Sequence, residues 1–410
     1  VDDEADHGTG LAGLAAYGDL TDALSSAEPI KISNRLESVK LVPAEGANEG
    51  DARHHAYLFT EGVSRPEISA PNRQRVFTSA VTASDYRDRG RPSSWSAAVD
   101  GLAADTAGAA ESPRLFVLSA GNTRDPDAWV RYPESLSTNL VHDPGQAWNA
   151  ITVGACTDKV DTEGHASLNP VAEAGGLSPF TTTTRTWDRA WPLKPEVVLE
   201  GGNAAKDNLG AVGMPSLNLL TTHNQPLNRL FTTSNATSAA SALCAGMAAQ
   251  IMAAYPHLRP ETVRALLVHS AQWSDSMRGM FLPADRMPNK GDYVHLIRHC
   301  GWGTPDLNRA LWSAGDSLTL LVEDQVHPYA KVPVKGVVTR DMNLHSLPWP
   351  KDELEALQDT PVEMRVTLSY FIEPNPSARG VASKYHYPSH RLRFDVQRPL
   401  DASTDNFVAR

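Results

Sequence analysis

Cysteine is scarce in this 410-residue chain, with Cys156, Cys244 and Cys300 the only three. An odd, sparse set excludes a disulfide framework. Cys156 and Cys244 lie in small or apolar stretches that suit packed free thiols, so a reducing compartment is expected. Basic runs are missing too. Lys and Arg total 37 against 48 Asp and Glu, a formal net charge of -11, which argues against nucleic acid or an anionic membrane as the main partner. No apolar stretch reaches the roughly 20 residues of a spanning helix. Internal repeats and low-complexity tracts are also lacking. There is no initiator methionine and no visible signal peptide. The chain opens on "VDDEADHG", which reads as the interior of a domain, so a truncated or processed N-terminus is expected.

What is there suffices for one large core and an accessory domain, since 41% of the residues are hydrophobic. "RVFTSAVTAS", "RLFVLSAGN", "AITVGAC" and "KPEVVLEGG" are short apolar runs rich in Val, Ile and Phe, and read as buried strands. "SSWSAAVDGLAAD" and "RPETVRALLVHSA" are helical patterns, the second with Pro260 at its start and Glu261 in its first turn. Strands alternating with helices predict an α/β fold, a parallel sheet covered on both faces. After about Ala314 the texture changes to "SLTLLVED", "YAKVPVKGVVT", "VEMRVTLSYFIE" and "HRLRFDVQR". These predict a boundary between residues 1–315 and a β-sandwich-like domain over 316–410.

Three stretches carry chemistry. In "TTSNATSAASALCAGMAAQIMAAYP", Ser234 precedes a long helix of small residues. Its hydroxyl and N–H would sit at the positive end of the helix dipole, where unpartnered backbone donors can hold an oxyanion. A serine there can equally be an ordinary N-cap. "DHGTGLAG" places His7 ahead of a second small-residue helix. "LFVLSAGN" ends a strand with Ser119-Ala120-Gly121-Asn122, where Gly121 allows close approach and Asn122 presents an amide. A base, an amide donor and a helix-start serine are parts of a serine hydrolase.

Taken in chain order, His7, Asn122 and Ser234, the stretches resemble the subtilisin-like serine proteases. "HGTGLAG" is similar to their histidine motif, "SAGN" to their oxyanion asparagine motif and "TTSNAT" to their serine motif. "GGLSPFTTTT", "PLKPEVVLEGG" and "GWGTPDLNRAL" extend the likeness to about residue 315. Two departures stand out. Thr232 occupies a position that is usually Gly, and Ser238 one that is usually Pro. The family's catalytic aspartate lies well upstream of the histidine. Asp2, Asp3 and Asp6 stand too near His7 along the chain to orient its ring, and the aspartate is expected in a segment before Val1. The stretch as given is then expected to be inactive without it.

The resemblance implies a serine endopeptidase with Ser234 as nucleophile, His7 as general base and Asn122 as oxyanion donor. A subtilase-like protein that binds peptides without cutting them is the alternative. Ser119, Ala120 and Gly121 would form one wall of the substrate pocket. The segment from Ser84 to Ser94, with Arg87, Arg89 and Arg91, would line the other, and an acidic preference would follow if those charges faced the cleft rather than water. No cofactor is implied. Calcium is common in the family, but no loop here names a site. Similar bacterial subtilases without an evident prodomain are in some cases encoded beside an AAA-type ATPase. That makes such an ATPase a candidate partner and a cytoplasmic location the expectation.

Other motifs point elsewhere and weaken on inspection. Gly8, Gly10 and Gly13 spell a dinucleotide fingerprint, but the preceding "VDDEAD" is anionic and not a strand. His295 and His299 stand four apart, as zinc ligands on a helix do, yet no third ligand or HExxH glutamate accompanies them.

Overall fold

The computed structural model describes every residue except 1–2, 4, 43–54, 85–87, 109, 316–318, 348–349, 398–400, 402 and 410. The four apolar runs form the central sheet. β1 (Val76–Ser79), β2 (Leu115–Ser119) and β3 (Ile151–Thr157) pair in parallel in that order. After β4 (Asn169–Pro170), the short β5 (Gly176–Leu177) runs antiparallel to the end of β3, and β6 (Val197–Glu200) joins β3 in parallel. β7 (Ala204–Lys206) and β8 (Ala211–Gly213) make a small antiparallel sheet with β4. β9 (Leu219–Thr222) and β10 (Phe231–Ser234) form a hairpin.

Successive side chains of a strand face opposite ways, and both faces of this sheet are covered. Leu115 and Val117 of β2 join one apolar core, Phe116 and Leu118 the other. Such a strand reads as a continuous apolar run rather than an alternating one. α1 (His7–Tyr17) and α2 (Leu20–Ser25) precede the sheet. α3 (His55–Ser69) and α4 (Ser94–Ala103) cover the Phe116 face, with Phe59, Val63, Trp95 and Val99 in contact. α4 starts on a reciprocal capping box between Ser93 and Ser96. α5 (Pro126–Val130) follows β2. α6 (Ala236–Ala254) and α7 (Pro260–Ser270) cover the Leu115 face through Ala240, Cys244, Ala248, Ile251, Val263 and Leu267. Among the described helices α6 has the length and apolarity of a membrane span, but it is mostly buried within the protein. α8 (Asp275–Phe281), α9 (Lys290–Cys300) and α10 (Leu307–Gly315) complete the domain.

Beyond residue 315, the ladder structure among the described residues is one hairpin, β11 (Tyr329–Val332) with β12 (Gly336–Thr339), and an isolated bridge between Pro374 and Pro388. The segment 369–387 instead docks on the sheet domain. Asn149 uses its side-chain amide as a strand would use its backbone. Its Oδ1 accepts from Ile372 N at 2.8 Å, and its Nδ2 donates to Ile372 O at 2.7 Å. Buried Asp100 accepts from Asn149 N at 2.7 Å and from Tyr387 Oη at 2.6 Å. Arg264 donates to Asn149 O at 2.9 Å, to Tyr370 O at 2.6 Å and to Ser369 Oγ at 3.0 Å. Burial pushes the Asp100 carboxyl up to about 6, while the bonds from Tyr387 and Asn149 pull the other way. The side chains of Asp100, Asn149 and Arg264 are thus matched, as burial requires, while the Trp148 indole N–H beside them has no partner among the described residues.

Candidate active site

His7 opens α1, and α1 is bolted to the hairpin that ends in Ser234. Thr221 Oγ1 donates to Gly10 O at 2.6 Å and Thr222 Oγ1 to Thr9 O at 3.1 Å. The glycines of the apparent dinucleotide motif serve this approach. A Cβ on Gly13 would lie 2.4 Å from Thr221 Oγ1. Asp6 holds the N-cap position in a left-handed conformation, φ 60°, without capping the helix. Its carboxylate accepts from Asn224 N at 2.7 Å, and Asp3 caps in its place, accepting from Thr9 N at 2.6 Å. The two aspartates nearest His7 in sequence are therefore spent on backbone donors.

Ser234 ends β10, opposite Leu219. The chain then turns through Asn235 and Ala236, whose φ of 63° is unusual for a residue with a Cβ, and enters α6. Strain of this kind gathers at functional sites. Ala236 N is fixed by a bond to Gly201 O at 2.6 Å. As the second residue of α6, Thr237 reaches back to the loop after β2. Its N–H and its hydroxyl both donate to Asn122 Oδ1, at 3.0 Å and 2.6 Å. With the carboxamide oxygen held from behind, the Asn122 NH₂ group is left to point away from α6. The "TTTT" run braces the same loop. Thr123 N donates to Phe180 O at 2.8 Å, and Thr182 Oγ1 donates to Ala120 O at 2.8 Å.

These elements enclose a cleft of about 350 Å³ lined by His7, Asn122, Ser234 and Phe180, among others. His7 keeps an open face to solvent, but protein packed around its ring pulls its pKa below the usual histidine value. Arg124 adds to that, and Asp3 opposes it. The Asp3 carboxyl is pushed up by burial. The bonds from Thr9 and Ala5 and the nearby His7 outweigh that, leaving it below the ordinary value. Among the described residues no hydrogen bond joins His7 to Ser234 or to a carboxylate, and no group of three or more His, Cys, Asp or Glu offers a metal-binding set.

Three residues expected together, His7, Asn122 and Ser234, thus share one cleft. Ser119, Ala120 and Gly121 stand behind it and do not line it, being buried. Gly121, at φ 94°, packs directly on His142. A Cβ there would lie 2.3 Å from the imidazole ring, so the space expected to be an open wall is filled. Of the arginines expected opposite, Arg87 lies outside the described residues. Arg89 and Arg91 are exposed away from the cleft lining, Arg91 being paired with Asp88 at 3.1 Å. His295 and His299 stack with Phe281 as packing, not ligation. Sequence reading passed over Thr237, Phe180 and Arg124. Thr237 lies inside the quoted serine motif, and its spacing to the serine was the available signal.

Comparison with known proteins shows the family. The family model described as the Subtilase family matches residues 1–303. The "Uncharacterized protein y4bN" of Sinorhizobium fredii is 31% identical over 371 residues, covering 83% of this chain and 77% of that protein. Among solved structures, that of a lanthipeptide protease aligns with 75% of this chain and 75% of its own, at 18% identity and a TM-score of 0.42.

Proposed function

This chain belongs to the subtilase family, and from that premise we propose that it is a serine endopeptidase working through an acyl-enzyme intermediate. Ser234 Oγ attacks the scissile carbonyl carbon while His7 takes the hydroxyl proton. The carbonyl oxygen becomes an oxyanion, met by the Asn122 NH₂ group and the Ser234 N–H. Collapse breaks the C–N bond, and the leaving amine takes the proton from His7. Water then repeats the sequence on the ester and frees Ser234. The substrate lies extended along the cleft, as an added strand.

The observation that carries this reading is the shared cleft of His7, Asn122 and Ser234, with Asn122 braced so that its donors are free. One observation favours a second reading, a protein that grips peptides without cutting them. The carboxylates of Asp3 and Asp6 are engaged by Thr9 and Asn224, so neither serves to orient His7. A fluorophosphonate probe decides between the two. Labelling at Ser234, abolished in Ser234→Ala, supports the peptidase. No labelling of the full-length protein that carries the upstream aspartate, or a label that moves to Ser238 or Ser241, overturns it.

A further inference from the structure

Three ionisable side chains line the cleft: Asp6, His7 and Arg124. Asp6 is already matched, with Asn224 N at 2.7 Å and His223 Nε2 at 3.5 Å from its two oxygens. Arg124 is not. It is exposed, and among the described residues it makes no hydrogen bond and no ion pair. Some other arginines of this acidic chain do find carboxylate partners. Arg114 meets Glu67 and Asp105, Arg75 meets Glu37, and Arg286 meets Asp292.

The backbone that presents Arg124 is held on both sides. Before it, Thr123 N donates to Phe180 O at 2.8 Å, and Thr123 O accepts from Trp129 Nε1 at 2.9 Å. Trp129 and Phe180 meet edge to face at 5.0 Å. After it, Asp125 caps α5 by accepting from Asp127 N at 3.0 Å. A guanidinium two residues from Asn122, on a fixed base and facing the cleft, offers a planar fork of donors matched to a carboxylate.

We propose that Arg124 forms a carboxylate subsite of the cleft and selects substrates with a carboxylate close to the scissile bond. The proposal rests on the peptidase reading above for which bond is cut. The carboxylate comes either from an acidic side chain or from the free C-terminus of a short peptide. The charge acts locally, since the chain as a whole is anionic and repels acidic ligands at long range.

The test measures binding without turnover, on the full chain carrying Ser234→Ala. Fluorescent octapeptides of otherwise neutral sequence carry one Glu or one Gln at each position in turn, with the C-terminus free or amidated. The expected result is tighter binding, by about two- to fivefold, for Glu over Gln at one position, or for the free over the amidated terminus. The first outcome assigns the carboxylate to a side chain and the second to the terminus. Arg124→Gln should remove the preference, and Arg124→Glu should invert it, so that the Gln or amidated peptide binds more tightly. A preference for Glu that survives in Arg124→Gln overturns the proposal, as does equal binding of every Glu and Gln pair and of both termini. Since no turnover is involved, these results stand apart from fluorophosphonate labelling, which tests the peptidase reading alone.

Discussion

Thr237→Val probes how the proposed oxyanion donor is held. Valine keeps the β-branch and nearly the volume of threonine, so the change is confined to the hydroxyl. That hydroxyl has one hydrogen to give. Asn122 Oδ1 at 2.6 Å is a better acceptor for it than Gly121 O at 3.1 Å. It also accepts from buried Gly121 N at 3.1 Å. Two losses follow. Gly121 N is left without that partner, which costs about 1–3 kcal/mol of stability, readable in a urea melt. Asn122 keeps only the 3.0 Å bond from Thr237 N. Losing one hydrogen bond of about 1 kcal/mol lets the carboxamide stray from its productive orientation, and kcat should fall about five- to tenfold with KM unchanged. Asn122→Ala should cost more, about 10²–10³ in kcat, a magnitude taken from subtilisin rather than worked from this chain. The assay is peptide hydrolysis by the four members of the double-mutant cycle, each made in the full-length protein that carries the upstream aspartate. Because Thr237 acts through Asn122, the double variant should match Asn122→Ala to within a factor of two. Losses that multiply, or a rise in KM alone, would refute the positioning role.

Two further outcomes follow from buried groups. Burial holds the His299 imidazole near pKa 4 in the fold, so unfolding takes up a proton between about pH 4 and its ordinary 6.5. Stability on this account is full above that value and falls as pH drops towards 4, by a few kcal/mol in all. Urea midpoints at pH 7 and 5 should differ less in His299→Gln than in the wild type, and an equal difference would count against it. Tyr387→Phe removes a donor from Asp100, whose carboxyl titrates near 6. The variant should lose about 1.5–3 kcal/mol at pH 7.5, where Asp100 is ionised, and clearly less at pH 5, where it is protonated. A cost independent of pH would show that the bond does not discriminate between the two forms.

The subtilisin-like sheet was legible because its strands are buried on both faces. Leu115 to Leu118 are apolar in succession for that reason, and no tertiary knowledge was needed to see it. The three candidate groups were legible because each sits in a short motif of fixed spacing. What escaped reading depends on contacts between segments far apart. Nothing in "GNTRDP" marks Arg124 as unpaired, since that depends on which acids fold nearby. The fill beside Gly121 comes from His142, 21 positions away by subtraction of the two numbers. The alternating runs after Ala314 carry the period of a strand. Yet Phe371 and Ile372 pack on α4 and the start of β3 instead of on a partner strand, and periodicity cannot say which surface an extended segment will meet.

The seam closed by Asn149 and Asp100 has a consequence in time. Asn149 precedes its partner Ile372 by 223 residues, and Asp100 precedes Tyr387 by 287. At ribosomal rates those intervals amount to tens of seconds. Throughout them the early chain holds a carboxylate and an amide whose final partners do not yet exist, and water must serve in their place. The sheet can gather around Phe116 and Val153 while it is being made, but its polar edge is sealed only when Tyr387 has left the tunnel.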